Sequence, residues 1–235
     1  MASKQETRVA RLKDLLTHQD RIHLRDVAAA LNVSEMTVRR DIDAHESALI
    51  ILGGYVFLAP TRSGYRLAAE GSALTKAKMA AARNAAALLV PNSTIFIDSG
   101  TTLLHLASAM PPGMKLTIVT TSLNVATRVS GNENLRLVLM GGLYHPASDC
   151  FISGSGGETP QDLGINQAFF SAGGYDSDRG ASCYQFHEAQ IKRTILKQSK
   201  QNYLVLDSSK IGLLQPVVFA QPAAFDAIIT EFGDA

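Results

Sequence analysis

The chain has 235 residues, with 22 Lys and Arg against 21 Asp and Glu, a formal net charge of +1, and 46% hydrophobic and 18% charged side chains. That much apolar material, free of low-complexity tracts, excludes a disordered chain, and the length suits a small domain joined to a medium one. Two distant cysteines, Cys150 and Cys183, exclude a disulfide framework and a zinc cluster and imply a reducing cytosol.

No apolar stretch follows the polar N-terminus, so no secretory signal is expected. The longest apolar run, Ala48 to Pro60, is interrupted by Gly53 and Gly54 and falls short of the ~20 residues a membrane helix needs. A cytoplasmic protein with no membrane partner is therefore expected. Charge is uneven along the chain. Residues 1–59 hold 8 basic and 8 acidic side chains, 60–83 hold 5 and 1, and 84–235 hold 9 and 12, so the basic excess sits near the N-terminal third and bulk charge alone does not mark a DNA binder.

In chain order, Val9, Leu12, Leu15 and Leu16 fall at helical spacing within Glu6 to His18, and Leu24, Val27, Ala28 and Leu31 repeat the pattern in a short second helix that stops at Asn32-Val33. Ser34 reads as the N-cap of a third helix reaching about His45, with Glu35 placed against the positive end of its dipole and Val38 and Ile42 facing inward. Leu49 to Leu58, rich in β-formers around Gly53-Gly54, reads as a hairpin. Three helices and a hairpin describe a winged helix-turn-helix over 1–59. Residues 60–73 read as a linker and 74–235 as an α/β domain.

That second part opens with an alanine-rich helix, Leu74 to Val90. Strands are then expected at Thr94 to Asp98, Lys115 to Val119, Leu135 to Met140, Asn166 to Ala172, Asn202 to Asp207 and Ala227 to Thr230, with helices at Thr102 to Met110, Leu123 to Val129 and Glu188 to Gln198. Short apolar strands alternating with helices imply a mainly parallel sheet covered on both faces.

Leu24 to His45 has the helix, short turn and second helix of a DNA reader, whose second helix enters the major groove N-terminus first. Ser34, Glu35, Met36, Thr37, Arg39 and Arg40 are the candidate DNA-binding residues: Arg suits guanine bidentately, and the hydroxyls serve phosphate or base. Spacing alone equally allows a small helical hairpin with a solvated arginine face. The run Val33-Ser34-x-x-Thr37-Val38-Arg39-Arg40-Asp41-Ile42, followed by Gly53-Gly54, closely resembles the DeoR family of bacterial repressors. Most members carry a basic residue just before the wing glycines, where this chain has Leu52, so the resemblance implies no phosphate contact from that position.

Ligands of open parallel sheets bind beyond the carboxyl ends of the strands. There the chain offers Asp98, Ser99, Gly100, Thr101 and Thr102, then Thr121, Ser122 and Asn124, then Gly141 and Gly142, Gly173 and Gly174, and finally Lys210 after Asp207-Ser-Ser. Small polar loops are also the ordinary way to turn from strand to helix, and none matches the Walker or dinucleotide pattern. Together they suit a phosphorylated polyol, with Lys210 as charge partner and Asp98 as a hydroxyl acceptor. The same segments resemble the DeoR sensor domain, which implies a ribose-5-phosphate isomerase-like fold and a phosphorylated sugar effector. The branch of the family most like the reader makes deoxyribose-5-phosphate the first effector to try.

The resemblance runs from about residue 6 to 230 and implies operator DNA as a partner; reading two half-sites calls for a homo-oligomer. Relatives usually continue beyond the last strand, so an altered C-terminal edge is expected at Ala235. His105, His145 and His187 lack ligand-like spacing, so neither metal nor cofactor is expected, and the two cysteines read as packed thiols. Glu188 and Lys192, at i and i+4, read as a surface ion pair. A sugar-phosphate isomerase or deaminase with an appended DNA-binding domain is the alternative, since Asp98, Asp176, Asp178, Glu188 and Asp207 are carboxylates available for acid-base chemistry. An enzyme has no need of the first 59 residues, and no catalytic residues are assigned.

Overall fold

The computed structural model describes residues 4–17, 22–44, 49–52, 54–58, 74–152 and 163–234. The expected linker, His45 and Gly53 lie outside the described residues. The chain divides into two compact units.

The first unit runs α1 (Lys4–Thr17), β1 (Ile22–His23), α2 (Leu24–Leu31), α3 (Glu35–Asp43), β2 (Leu49–Leu52) and β3 (Tyr55–Leu58). The helical spacing puts Val9, Leu12 and Leu16 of α1, Leu24, Val27 and Ala28 of α2, and Val38 and Ile42 of α3 into one core with Leu49 and Val56 of the wing. Each large aliphatic removed from water there contributes about 1.5–3 kcal/mol before entropy. The wing pairs antiparallel with Leu52 opposite Tyr55. β1 is an unexpected third strand, pairing Ile22 with Val56 and His23 with Tyr55. Two residues are too few to show a period-two pattern.

The turn between α2 and α3 rests on Asn32, which takes the left-handed conformation (φ 52°, ψ 50°) and donates its N–H to the carbonyls of Ala28 and Ala29. Asparagine adopts that region more readily than other non-glycine residues, so the helix stops there and α3 starts three residues later, at Glu35. A two-pronged ion pair fixes α1 to α3: Arg8 donates from Nε to Asp41 Oδ2 at 2.6 Å and from Nη2 to Oδ1 at 2.9 Å.

The second unit contains α4 (Thr75–Ala86), β4 (Thr94–Ile97), α5 (Thr101–Ala109), β5 (Leu116–Thr120), α6 (Leu123–Val129), β6 (Leu135–Leu139), β7 (Leu143–His145), β8 (Cys150–Ile152), β9 (Ile165–Phe170), β10 (Gly174–Asp176), β11 (Gly180–Cys183), α7 (Phe186–Gln198), β12 (Ser199–Val205), β13 (Val217–Ala220), β14 (Ala227–Thr230) and β15 (Gly233–Asp234). Its main sheet has the order β15-β14-β12-β9-β4-β5-β6. Every pairing is parallel except β14 with β15. Strand alternation sorts the apolar side chains. Ile95, Ile97, Ile118, Phe169 and Val205 face Ala81, Ala85, Leu103 and Leu106 of α4 and α5. Phe96, Val119, Phe170 and Leu204 face Ala189 and Ile195 of α7 together with Ala181, Val217 and Phe219. Both faces are thus covered, which is why these strands read as near-continuous apolar runs.

The small antiparallel sheets, β7-β8 and β10-β11-β13, were not expected from the sequence. Their strands are three or four residues long and interrupted by small and polar residues. The β10-β11-β13 sheet explains Gly174, where a Cβ would lie 2.4 Å from the Leu213 carbonyl oxygen, so only glycine admits that approach.

The strand order sets the site. The chain fills the sheet outward from β4 through β5 to β6, then returns to the other side of β4 with β9, β12 and β14. The crevice at this reversal opens beyond the carboxyl ends of β4 and β9.

Candidate functional site

Two sites stand out, one in each unit. In the first unit, Ser34 caps α3 in an extended conformation, its Oγ accepting from the Thr37 N–H at 3.2 Å and lying 2.9 Å from the Thr37 hydroxyl. With Val38, Asp41 and Ile42 turned inward, Ser34, Glu35, Met36, Arg39 and Arg40 are exposed and Thr37 is half-buried. Met36 is 73% exposed, an apolar side chain at the very start of the helix with nothing in its own unit to cover it. Ser34→Ala is expected to lower the stability of this unit by about 1 kcal/mol through loss of the cap, read by urea unfolding; an unchanged midpoint would deny the cap any weight.

In the second unit a small pocket with a cavity volume of about 40 Å³, partly open to solvent, lies at the strand-order reversal. Ser99, Gly100, Thr101 and Thr102 line it from β4 into α5, Gly173 follows β9, and Lys210 follows β12. Gly100 has φ 133°, and a Cβ there would lie 2.8 Å from the Ser171 side chain, so the loop after β4 can pass this close to the loop after β9 only with glycine. Gly100 also leaves α5 without a side-chain cap, so first-turn amides beside Thr101 and Thr102 remain for a ligand. Thr121, Ser122, Asn124, Gly141, Gly142 and Gly174 do not line this pocket. Ser122 instead caps α6, accepting from the Val125 N–H at 3.3 Å.

Asp98, expected as a hydroxyl acceptor, does not line the pocket either: it is only 2% exposed, and its carboxylate is taken up by neighbouring protein groups. It accepts from the Ser99 N–H at 2.8 Å and the Ser171 N–H at 3.0 Å, and it is ion-paired with Lys192. The Lys192 ammonium also donates to the Ser171 carbonyl at 3.0 Å, lies 3.3 Å from the Ser171 hydroxyl and sits 5.1 Å from the centre of the Phe219 ring. Burial opposes the charge on Lys192, but Asp98 beside it, with Glu188, outweighs that and holds the ammonium charged.

Glu188 and Lys192 are therefore not the surface pair expected from their spacing. They are 8% and 2% exposed, and both line the pocket. The i, i+4 rule puts them on one face of α7, and that face packs on the sheet. Burial pushes the Glu188 carboxyl up to about 7, against the opposing pull of Lys192 and of the Gln185 N–H to which it bonds. Burial likewise pushes the thiols of Cys150 and Cys183 up to about 12, so they are neutral packed groups. His187 packs against His145 with ring centres 4.6 Å apart and the planes tilted by 48°, and burial drives its imidazole down to about 3.

The sequence matches the DeoR-like helix-turn-helix domain over residues 8–61 and the DeoR C terminal sensor domain over residues 74–231. It is 33% identical over 98% of its length, and 92% of the relative's, to the deoxyribose operon repressor of Escherichia coli. It is 28% identical to the lactose phosphotransferase system repressor of Lactococcus lactis, over 95% of this chain and 90% of that one. Among solved structures it is similar in fold to ribose 5 phosphate isomerase A from Neisseria gonorrhoeae, with 16% identity and a TM-score of 0.40 over 57% of this chain and about half (52%) of that one. Among the described residues no helix is long and apolar enough to cross a membrane.

Proposed function

Because this chain belongs to the DeoR family of transcriptional regulators, we propose that it represses a sugar or nucleoside catabolic operon and leaves its operator when a phosphorylated sugar such as deoxyribose-5-phosphate fills the pocket of the second unit. The protein is a DNA-binding regulator of the helix-turn-helix type. Ser34, Glu35, Met36, Thr37, Arg39 and Arg40 read the operator, and a cytoplasmic homo-oligomer presents two such helices to two half-sites.

The observation that carries the effector reading is the pocket itself. Uncapped first-turn amides of α5, three hydroxyls and Lys210 converge where a parallel sheet reverses its strand order. Amides and an ammonium hold a phosphate, and Ser99, Thr101 and Thr102 serve the sugar hydroxyls. The resemblance to the deoxyribose operon repressor makes deoxyribose-5-phosphate the first candidate.

A thermal-shift series with pentose and hexose phosphates and the free sugars tests this reading. Binding at one hundred times the Kd contributes about 2.7 kcal/mol to the folded state, so one phosphate ester should raise the melting temperature clearly. A flat response across the panel would remove the effector class. Lys210→Ala is expected to weaken binding of the phosphate ester and leave free-sugar binding nearly unchanged; equal loss for both would take Lys210 out of the phosphate role.

A second reading, a sugar-phosphate isomerase or deaminase, draws on the buried Lys192 and Glu188 that line the pocket, with Asp98 ion-paired to Lys192. Incubation with ribose-5-phosphate and glucosamine-6-phosphate separates the two: no turnover is expected of a regulator.

A further inference from the structure

We propose that effector binding is coupled to proton uptake, with the Glu188 carboxylate taking a proton from solvent as a phosphate monoester enters the pocket. This rests on the sugar-phosphate reading given above and adds to it how the pocket answers to pH.

The argument starts from how charge is shared. Glu188 stands in the third position of α7 after the capping residue Gln185, so its carboxyl is held back against the helix start, where it accepts from the Gln185 N–H. Around it are Lys192 of the same helix, Asp98 at the end of β4, Cys183 of β11 and Cys150 of β8. Lys192 is the cation among these, and an ammonium has three protons to donate. They are accounted for by Asp98, the Ser171 carbonyl and the Ser171 hydroxyl. Asp98 and Lys192 therefore neutralise each other, and no direct ammonium contact is left for Glu188.

The remaining neighbours cannot replace it. Both thiols are neutral, and His145 and His187, whose ionisation burial depresses, are neutral too. Burial accordingly holds Glu188, which lines the pocket, at about 7. A phosphate monoester brings a charge of about −1.5 to −2 at neutral pH. The pocket's other ammonium groups, Lys78 and Lys210, then have that anion to meet. A like charge nearby disfavours the ionised carboxylate, so the carboxylate plus a solvent proton becomes the uncharged acid, whose O–H can donate to a ligand oxygen.

The sign follows. The carboxyl of the bound state holds its proton to higher pH than that of the free state, so binding is tightest below about pH 7 and weakens as the pH rises, by up to roughly tenfold per pH unit until the bound-state acid also ionises. The experiment is calorimetric titration of the full-length protein with deoxyribose-5-phosphate at pH 8, where the ester itself is already a dianion, in Tris and in HEPES. The expected result is a heat that differs between the buffers by close to one proton's worth of their ionisation heats. In Glu188→Gln the heats are expected to coincide, and the Kd to stay flat from pH 7 to 9. Equal heats in both buffers for the wild type, or an undiminished difference in Glu188→Gln, would overturn the proposal while leaving the effector reading standing. No heat and no rise in melting temperature with the ester would overturn the effector reading and this proposal with it. Should Glu188→Gln fail to fold, the wild-type comparison decides.

Discussion

Lys192→Met is expected to destabilise the second unit by about 3–5 kcal/mol, the range seen when one partner of a buried ion pair is removed. For a unit of this size that corresponds to a melting temperature lower by about 6–20 °C. The reason is geometric. Asp98 and Lys192 are each 2% exposed, and the pair joins the end of β4 to the middle of α7 across 94 residues of sequence. Methionine fills much of the same volume and keeps contact with Phe219, so the loss isolates the charge. Asp98 is left buried with two backbone N–H donors and a serine hydroxyl but no cation. The double variant Asp98→Asn, Lys192→Met removes both charges and should recover much of the loss, as apolar or neutral replacements of buried ion pairs commonly do. A single variant melting within about a degree of the wild type would mean that the pair does not tie β4 to α7.

Arg40→Ala is expected to remove most operator affinity while leaving the fold and effector binding intact. A bidentate arginine contact to a guanine contributes about 1–3 kcal/mol of discrimination, so loss of one per reading helix in a dimer gives roughly a hundredfold or more in operator binding. The fold should be indifferent because Arg40 is exposed, in contrast to its neighbour Asp41, which is 4% exposed and held by Arg8. Anisotropy titrations with operator and random DNA at one fixed salt concentration separate base reading from phosphate contact. An unchanged operator Kd would remove α3 as the reading helix. An equal loss on both DNAs, with a salt slope reduced by about one, would assign Arg40 to a phosphate.

Local signals carried most of the architecture. Ser34 before an apolar pattern at i and i+4 marks the start of α3 because a cap and a buried face are both short-range requirements. The six main-sheet strands from β4 to β14 were legible from short-range signals too: each contains a short apolar run, and the sheet buries such runs as Ile95–Ile97 and Tyr203–Val205. What escaped was set by pairs distant in sequence. Nothing near Lys192 tells that its partner is Asp98, and an i, i+4 Glu and Lys look alike on a solvated face and on a buried one. Arg8 with Asp41 is the same case at a separation of 33 residues. β1 and the strands of the small sheets are too short to show a period and exist because a partner strand offers its edge.

Part of the pocket was legible too. Ser99 to Thr102, Gly173 and Lys210 sit after strands, as ligand-binding loops of parallel sheets do, and they line the cavity. The loops after β5 and β6 carry the same chemistry and do not line it, because the strand order puts the reversal between β4 and β9. That order is a property of topology, and loop composition does not encode it.

The most direct test of a repressor released by a sugar phosphate is the affinity of the full-length protein for DNA from upstream of its own operon, measured at fixed salt with deoxyribose-5-phosphate, with free deoxyribose and with neither. The expected result is sequence-specific binding that the phosphate ester abolishes and the free sugar leaves in place. Operator binding that no pentose or hexose phosphate alters, or conversion of a sugar phosphate by a protein that binds no DNA, would contradict it.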